Sequence, residues 1–223
     1  MKQSLFFRAI AKFLSGLALL GLLLFLPAGT WNWPNAWLLL GLLFVPMFAA
    51  GLVMLFRSPE LLEKRLNVRE TEPAQKRVIL CSALMFLAAF LLAGLGRRFG
   101  WLPLPDWVTW AAAAVFLLSY ALYAEVLREN VWLSRTVEVQ ENQKVVDAGL
   151  YGLVRHPMYS ATVLLFLSMP LILGSLPGFV VTLCYLPIIV SRIRNEEKVL
   201  EAGLAGYPEY EKRVKYRLLP FIW

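Results

Sequence analysis

The chain has 223 residues, 59% of them hydrophobic and only 17% charged, with a mean hydropathy of +0.63. A soluble domain carries about a quarter charged residues, so this composition argues against a soluble globular enzyme and excludes intrinsic disorder. The 22 Lys and Arg outnumber the 15 Asp and Glu; in so apolar a chain that excess reads as membrane topology before it reads as a nucleic-acid partner.

The first element is an uncharged run of 44 residues between Lys12 and Arg57. As one helix it would reach roughly 66 Å, about twice a 30 Å bilayer core. Pro27, Gly29 and Pro34 sit near its middle, which predicts two spans, about 10–27 and 36–56, joined by a tight turn. The first is expected to be a span and not a cleaved leader, because the second follows almost at once. Val78 to Gly96 predicts a third span and Trp107 to Ala124 a fourth. Met158 to Ser191 is uncharged for 34 residues and contains Gly174-Ser175-Leu176-Pro177-Gly178. It predicts a helical hairpin with two short arms. The fold class is therefore all-α: a polytopic integral membrane protein of five or six membrane segments, read as one domain over 1–223. Residues 1–127 form its four-span N-terminal region, and residues 128–223 carry the chemistry.

Numbering the loops alternately puts every Lys and Arg except Arg97 and Arg98 on one side. That side is expected to be cytoplasmic, with both termini. Trp31, Trp33, Trp37, Trp101, Trp107 and Trp110 cluster near the opposite ends, as an interfacial aromatic belt would. The short loops favour a bacterial inner membrane, or the endoplasmic reticulum in a eukaryote. Cys81 and Cys184 form neither a zinc pattern nor a disulfide framework. His156 is the only histidine, so no metal site and no nucleic-acid partner are expected.

Function is then expected in two basic-side segments. The first runs from Gln143-Lys144-Val145-Val146 through Gly149-Leu150-Tyr151-Gly152 to Arg155-His156-Pro157-Met158-Tyr159. Gly149 and Gly152 permit a tight turn and close approach to a ligand. Pro157 suits the first turn of the next helix, whose N–H groups and dipole favour an anion. Arg155, His156 and Tyr159 add donors and an aromatic face. The set suits a small zwitterionic cofactor with an aromatic base; equally, Arg155 and His156 alone read as interfacial residues snorkelling at a membrane edge.

The second segment is Ser191 to Leu204. Ile193, Leu200 and Leu204 share a helical face, with Glu196 on that stripe, Glu197 on its flank, and Arg192 one turn before Glu196. A Glu and an Arg against an apolar face need satisfied partners. An ordinary surface helix with an i,i+4 pair remains the alternative. The tail from Tyr207 to Trp223 alternates aromatic and basic residues and reads as an amphipathic membrane-surface segment.

In this order and spacing, Val-Val-x-x-Gly-x-Tyr, Arg-His-Pro-x-Tyr, Arg-x-x-x-Glu-Glu-x-x-Leu, Tyr-x-x-Tyr and Leu-Pro-Phe-Ile resemble the isoprenylcysteine carboxyl methyltransferase family, itself similar to membrane phospholipid N-methyltransferases. The resemblance covers about residues 130–223. It implies an S-adenosyl-L-methionine site lined by Gln143, Lys144, Val145, Val146, Gly149, Tyr151, His156, Pro157, Met158, Tyr159, Glu196 and Glu197. Arg192 is implied to bind the methyl acceptor, with Arg192 and Glu196 as the catalytic pair. A further polar cofactor contact is implied near Thr136 to Gln140. Leu150 stands where the family often has Pro, which alters turn rigidity and removes no ligand group. The implied acceptor is an isoprenylcysteine-like carboxylate, a prenylated cysteine or other lipid-tailed molecule entering from the bilayer; a phospholipid amine is the alternative. Membrane sterol-type reductases share a similar Arg-His-Pro-Asn-Tyr turn and use NADPH, but Met158 replaces that Asn here. A non-enzymatic scaffold or small transporter has few internal charges to use.

Overall fold

The structure is a computed structural model that describes residues 2–66, 73–134 and 136–223. Regular structure among these residues is helical, apart from one antiparallel bridge between Pro103 and Ser175. Helices α1 (Lys2–Ala28) and α2 (Pro34–Arg57) form the first pair. The expected turn lies between them: Gly29 takes φ +66° and Pro34 opens α2. The short α3 (Pro59–Leu66) returns beside α1, where Arg8 Nη2 donates to Glu63 Oε1 at 3.1 Å. Helices α4 (Pro73–Phe99) and α5 (Asp106–Glu129) follow.

Each of these helices runs past the apolar stretch that predicted it. A helix of 27 residues is about 40 Å long, so the charged ends project beyond a hydrocarbon core of about 30 Å. The apolar run reports bilayer thickness, and helix length is set by what the ends find to bond.

The predicted hairpin has one short arm, not two. Helix α6 (Pro157–Ile172) has 16 residues. The return arm is α7 (Leu176–Thr182) followed by α8 (Tyr185–Gly203), which together form a candidate span of 28 residues. The break between them lies where Pro187 in the first turn of α8 can neither donate backward nor sit against the carbonyl of Leu183. The arm continues past Ser191, so Arg192, Glu196 and Glu197 ride on its inner end and not on a separate surface helix. Helix α9 (Tyr207–Arg213) closes the chain's regular structure.

Among the described residues, five stretches are long and apolar enough to cross a membrane: Ser4–Ala28, Pro34–Arg57, Gln75–Phe99, Asp106–Glu129 and Leu176–Gly203. The interior is packed by Leu24, Leu39, Phe90, Phe116 and Ile172 from α1, α2, α4, α5 and α6. At Gly94 a Cβ would lie 2.9 Å from the Leu24 carbonyl, so a hydrogen side chain lets α4 and α1 approach backbone to backbone. Outward, Leu22, Leu26, Val45, Phe56, Leu80 and Leu118 are exposed. Such a surface is stable only against lipid, so the chain is an integral membrane protein.

The two ends differ. At one, Trp31 and Trp37 flank Phe25 with ring centroids 4.8 Å away on each side, and Trp107 and Trp110 are exposed. Trp33 departs from the expected belt, being packed in the interior at 3% exposure. At the other, basic end, the 136–156 segment, α3, α9 and the tail lie by the inner ends of α5, α6 and α8.

Candidate active site

The site begins where α5 stops. Asn130 ends the helix and its Nδ2 donates to the Tyr151 hydroxyl at 2.9 Å. Further along, the chain makes a short 3-10 turn over Gly149–Gly152. Gly149 has φ +59°, and a Cβ there would lie 1.9 Å from Glu129 Oε1. The Glu129 carboxylate fills that space and accepts the Leu150 N–H at 2.9 and 3.1 Å. The close approach that glycine permits is thus to Glu129, a partner 20 residues upstream. Tyr210 Oη donates to the Tyr151 carbonyl at 2.8 Å, so α9 is tied to this turn. Burial pushes the Tyr151 phenol up to about 12 and raises Tyr210 further, so both keep their protons.

Next comes Arg155-His156-Pro157 at the mouth of α6. The backbone N–H groups of Arg155 and His156 donate to the carbonyls of Tyr216 and Arg217 at 2.8 and 2.9 Å. Ser160 Oγ donates to the Leu218 carbonyl at 2.6 Å. The tail is therefore zipped onto the start of α6. In the first turn of α6 the Tyr159 and Ser160 N–H groups turn back to the His156 carbonyl at 3.0 and 3.2 Å.

Beneath this strap lies a buried ionic hub. Glu197 is 3% exposed. Its Oε1 accepts Arg155 Nε at 2.9 Å and Nη2 at 2.7 Å and stands 3.2 Å from His156 Nε2; its Oε2 accepts Arg217 Nε at 2.7 Å. Arg155 also pairs with Glu211 at 2.9 Å and donates to the Val214 carbonyl at 3.1 Å. A buried charge persists only when paired and hydrogen-bonded, and here each is. Arg155 is thus an interior residue and does not snorkel at an edge.

One residue away on α8 the arrangement differs. The Tyr159 hydroxyl donates to Glu196 Oε2 and accepts from Arg192 Nε at 2.8 Å. Tyr159 thereby joins the cation and the carboxylate. Its ring stacks on the His156 ring at 5.6 Å, and the Arg192 carbonyl accepts from the buried Gln75 Nε2 at 3.3 Å. Met85, Tyr185, Ile189 and Ile193 pack underneath.

His156, Tyr159, Arg192 and Glu196 wall one cleft. Of the residues predicted from sequence, Gln143, Lys144, Val145, Val146, Tyr151, His156, Met158, Tyr159, Arg192 and Glu196 line it. Gly149, Pro157 and Glu197 do not: Gly149 makes room for Glu129, Pro157 is buried in the first turn of α6, and Glu197 is held beneath the floor by Arg155 and Arg217. The expected contact near Thr136 to Gln140 corresponds to a wall that includes Thr136, Val137 and Glu138.

Sequence reasoning missed Asn130, Trp132, Leu133, Ser134, Leu200, Leu204, Tyr207 and Tyr210 as lining residues. The first part of the tail packs inward: Tyr207, Tyr210 and Val214 are buried with Leu204 against Val139, Val145 and Leu200, and Tyr207 and Tyr210 line the cleft, whereas Leu219, Phe221 and Ile222 are exposed. The Tyr-x-x-Tyr spacing, one side of a helical turn, was the available signal. The cleft mixes carboxylates (Glu138, Glu196), cations (Lys144, Arg192) and aromatic faces (Trp132, Tyr159, Tyr207). That donor set fits a zwitterion with an aromatic base.

Comparison with known proteins adds three findings. The sequence profile of the family described as Phospholipid methyltransferase matches residues 107–205. The Delta(14)-sterol reductase TM7SF2 of Mus musculus is 30% identical over 91 residues, which is 40% of this chain and 22% of that protein's length. A structure of the eukaryotic intramembrane Ras methyltransferase ICMT (isoprenylcysteine carboxyl methyltransferase) superposes with a TM-score of 0.55 at 20% identity, over 99% of this chain and 85% of that one. The resemblance drawn from the motifs therefore holds in both respects: the chain has the fold of the isoprenylcysteine carboxyl methyltransferase, and its residues 107–205 carry the sequence pattern of the phospholipid methyltransferase family.

Proposed function

We propose that the chain is an integral-membrane S-adenosyl-L-methionine-dependent methyltransferase acting on a lipid-tailed acceptor, with an isoprenylcysteine-like carboxylate as the preferred class. The observation that carries this reading is the Arg192–Tyr159–Glu196 line on the wall of one cleft at the basic end. We take that end to face the cytoplasm, with both termini, in a bacterial inner membrane.

In this reading Gln143 to Val146, Tyr151, His156, Met158, Tyr159 and Glu196 hold the cofactor. Glu196 offers a carboxylate to its positive groups, and Tyr159 and Trp132 offer faces to its base. Gly149, Pro157 and Glu197 serve by shape, setting the turn and the strap. Bound there, S-adenosyl-L-methionine supplies a methyl group on a positively charged sulfur, already activated toward an oxygen or nitrogen. The chain's own task is alignment and exclusion of water, worth about 7–11 kcal/mol in favourable cases. Arg192 binds the acceptor carboxylate by charge-assisted bonds. Tyr159 fixes the guanidinium through Nε. An ionised carboxylate needs no general base. The acceptor's tail reaches the site sideways from the bilayer, and the cofactor enters from water.

N-methylation of a phospholipid amine is the second reading, favoured by the profile match over 107–205. It needs a route for a proton, and Glu196 on the cleft wall, or Glu197 beside it on α8, would offer one. NADPH-dependent sterol-type reduction is supported only by the partial identity with the mouse reductase. The test is a screen of lipid-tailed thiol, carboxylate and amine acceptors with a cofactor labelled in its methyl group. Label in a prenylated cysteine ester supports the first reading, and label in an amine headgroup supports the second. No label in any acceptor, with NADPH-dependent reduction of a sterol in its place, rejects both.

A further inference from the structure

Asn130, at the end of α5, makes two side-chain bonds at once. Its Oδ1 accepts the Trp132 backbone N–H at 3.0 Å, and its Nδ2 donates to the Tyr151 hydroxyl at 2.9 Å. Each bond fixes the sense of the other. A backbone N–H can only donate, so the amide atom that faces Trp132 is the oxygen. The nitrogen then faces Tyr151, and an amide nitrogen can only donate. The phenol oxygen therefore receives, and its own proton is left for another partner. Among the described residues this hydroxyl gives no bond to a protein acceptor. Burial holds the phenol up at about 12, so the proton stays on it.

Asn130, Trp132 and Tyr151 all line the cleft, as Glu196 does. Glu196 and Glu129 are the carboxylates that act on the phenol. Glu129 turns both oxygens to the Leu150 N–H, and Glu196 receives the Tyr159 hydroxyl. The Tyr151 hydroxyl meets the Asn130 amide on the wall that the two residues share. A mere tie between the end of α5 and the Gly149–Gly152 turn would be served by a bond of either sense. We propose that Asn130 is a positioning residue for the ligand of this cleft: by donating to the Tyr151 oxygen it keeps the phenol proton available to a hydrogen-bond acceptor of that ligand. On the reading given above, on which the inference rests, the ligand is the S-adenosyl-L-methionine type of molecule.

The test uses the full chain in detergent with S-adenosyl-L-homocysteine as the probe, by isothermal titration, with Tm measured alongside. Asn130→Asp keeps the shape and reverses the sense. One carboxylate oxygen still accepts the Trp132 N–H, and the other accepts the Tyr151 proton in place of the ligand. Binding is expected to weaken roughly tenfold, with Tm within about 2 °C of wild type. Tyr151→Phe, which deletes the proton itself, should weaken binding to the same degree, and adding Asn130→Asp to it should cost no further affinity. Wild-type affinity in Asn130→Asp or in Tyr151→Phe overturns the inference and leaves the proposed function standing. An Asn130→Asp loss that persists in full on the Tyr151→Phe background is an effect of the new charge and also overturns it. So does a fall in Tm of more than about 6 °C in Asn130→Asp, which makes the amide a structural tie. No binding by the wild type overturns the functional reading and the inference together.

Discussion

Replacing Glu197 by glutamine separates two neighbouring carboxylates that sequence alone treats alike. The buried carboxylate receives Arg155, His156 and Arg217. Breaking a buried pair by removing one partner costs about 3–5 kcal/mol. Two features set the expected value at the low end. Arg155, 3% exposed, keeps Glu211 at 2.9 Å, and Arg217, 31% exposed, can rehydrate. The loss is then about 3 kcal/mol. At about 2–4 °C per kcal/mol for a chain of this size, Tm falls by roughly 6–12 °C. Glu196→Gln, on a half-buried cleft residue, is expected to shift Tm by no more than about 2 °C and to weaken S-adenosyl-L-homocysteine binding at least tenfold, the scale of one bond to a charged group. Differential scanning fluorimetry and isothermal titration on both variants give the four numbers. A Glu197→Gln protein with wild-type Tm and selectively lost affinity would refute the division into a structural and a ligand-facing carboxylate.

Three further outcomes follow from the geometry. Gly149→Ala forces the Glu129 carboxylate off the Leu150 N–H and puts alanine at φ +59°. It should cost about 2–4 kcal/mol, less than additively with Glu129→Gln in a double-mutant cycle. Arg192→Ala should raise KM for a carboxylate acceptor at least tenfold with cofactor affinity nearly intact, and Arg192→Lys should recover only a fraction, because lysine lacks the planar fork. The Tyr151 phenol is raised by burial from 10 to about 12. Its neutral form is favoured by folding, so its contribution is full below pH of about 10 and is lost as pH climbs through about 12; Tyr151→Phe should flatten the decline of Tm across that window.

The membrane fold was legible because hydrocarbon thickness imposes itself directly on sequence. The 44 uncharged residues after Lys12 admit no other reading than two crossings. Helix ends were less legible, since Arg8 stays helical by finding Glu63 on α3, a contact 55 residues away. The same limit explains the two glutamates. Periodicity sets Glu196 on the Ile193 stripe and Glu197 on its flank, and does not say which of the two is drawn inward. Arg155 and Arg217 make the choice, drawing Glu197 inward from elsewhere in the chain. Gly149 was legible as a turn with a close approach, but the approaching partner, Glu129, was not. Alternating aromatic and basic residues suit a bilayer surface, which leaves the inward packing of the first part of the tail unread. Tyr207, Tyr210 and Val214 are covered by Val139, Val145 and Leu200, two from the 136–146 segment and one from α8, which only the fold brings together.

The most direct test of the cleft's assignment is a parallel isothermal titration of the intact protein in detergent with S-adenosyl-L-homocysteine and with NADPH. Saturable binding of the first, abolished by Glu196→Ala, with no heat from the second, is the predicted result. Saturable NADPH binding that depends on the same glutamate, with no uptake of S-adenosyl-L-homocysteine, would contradict it.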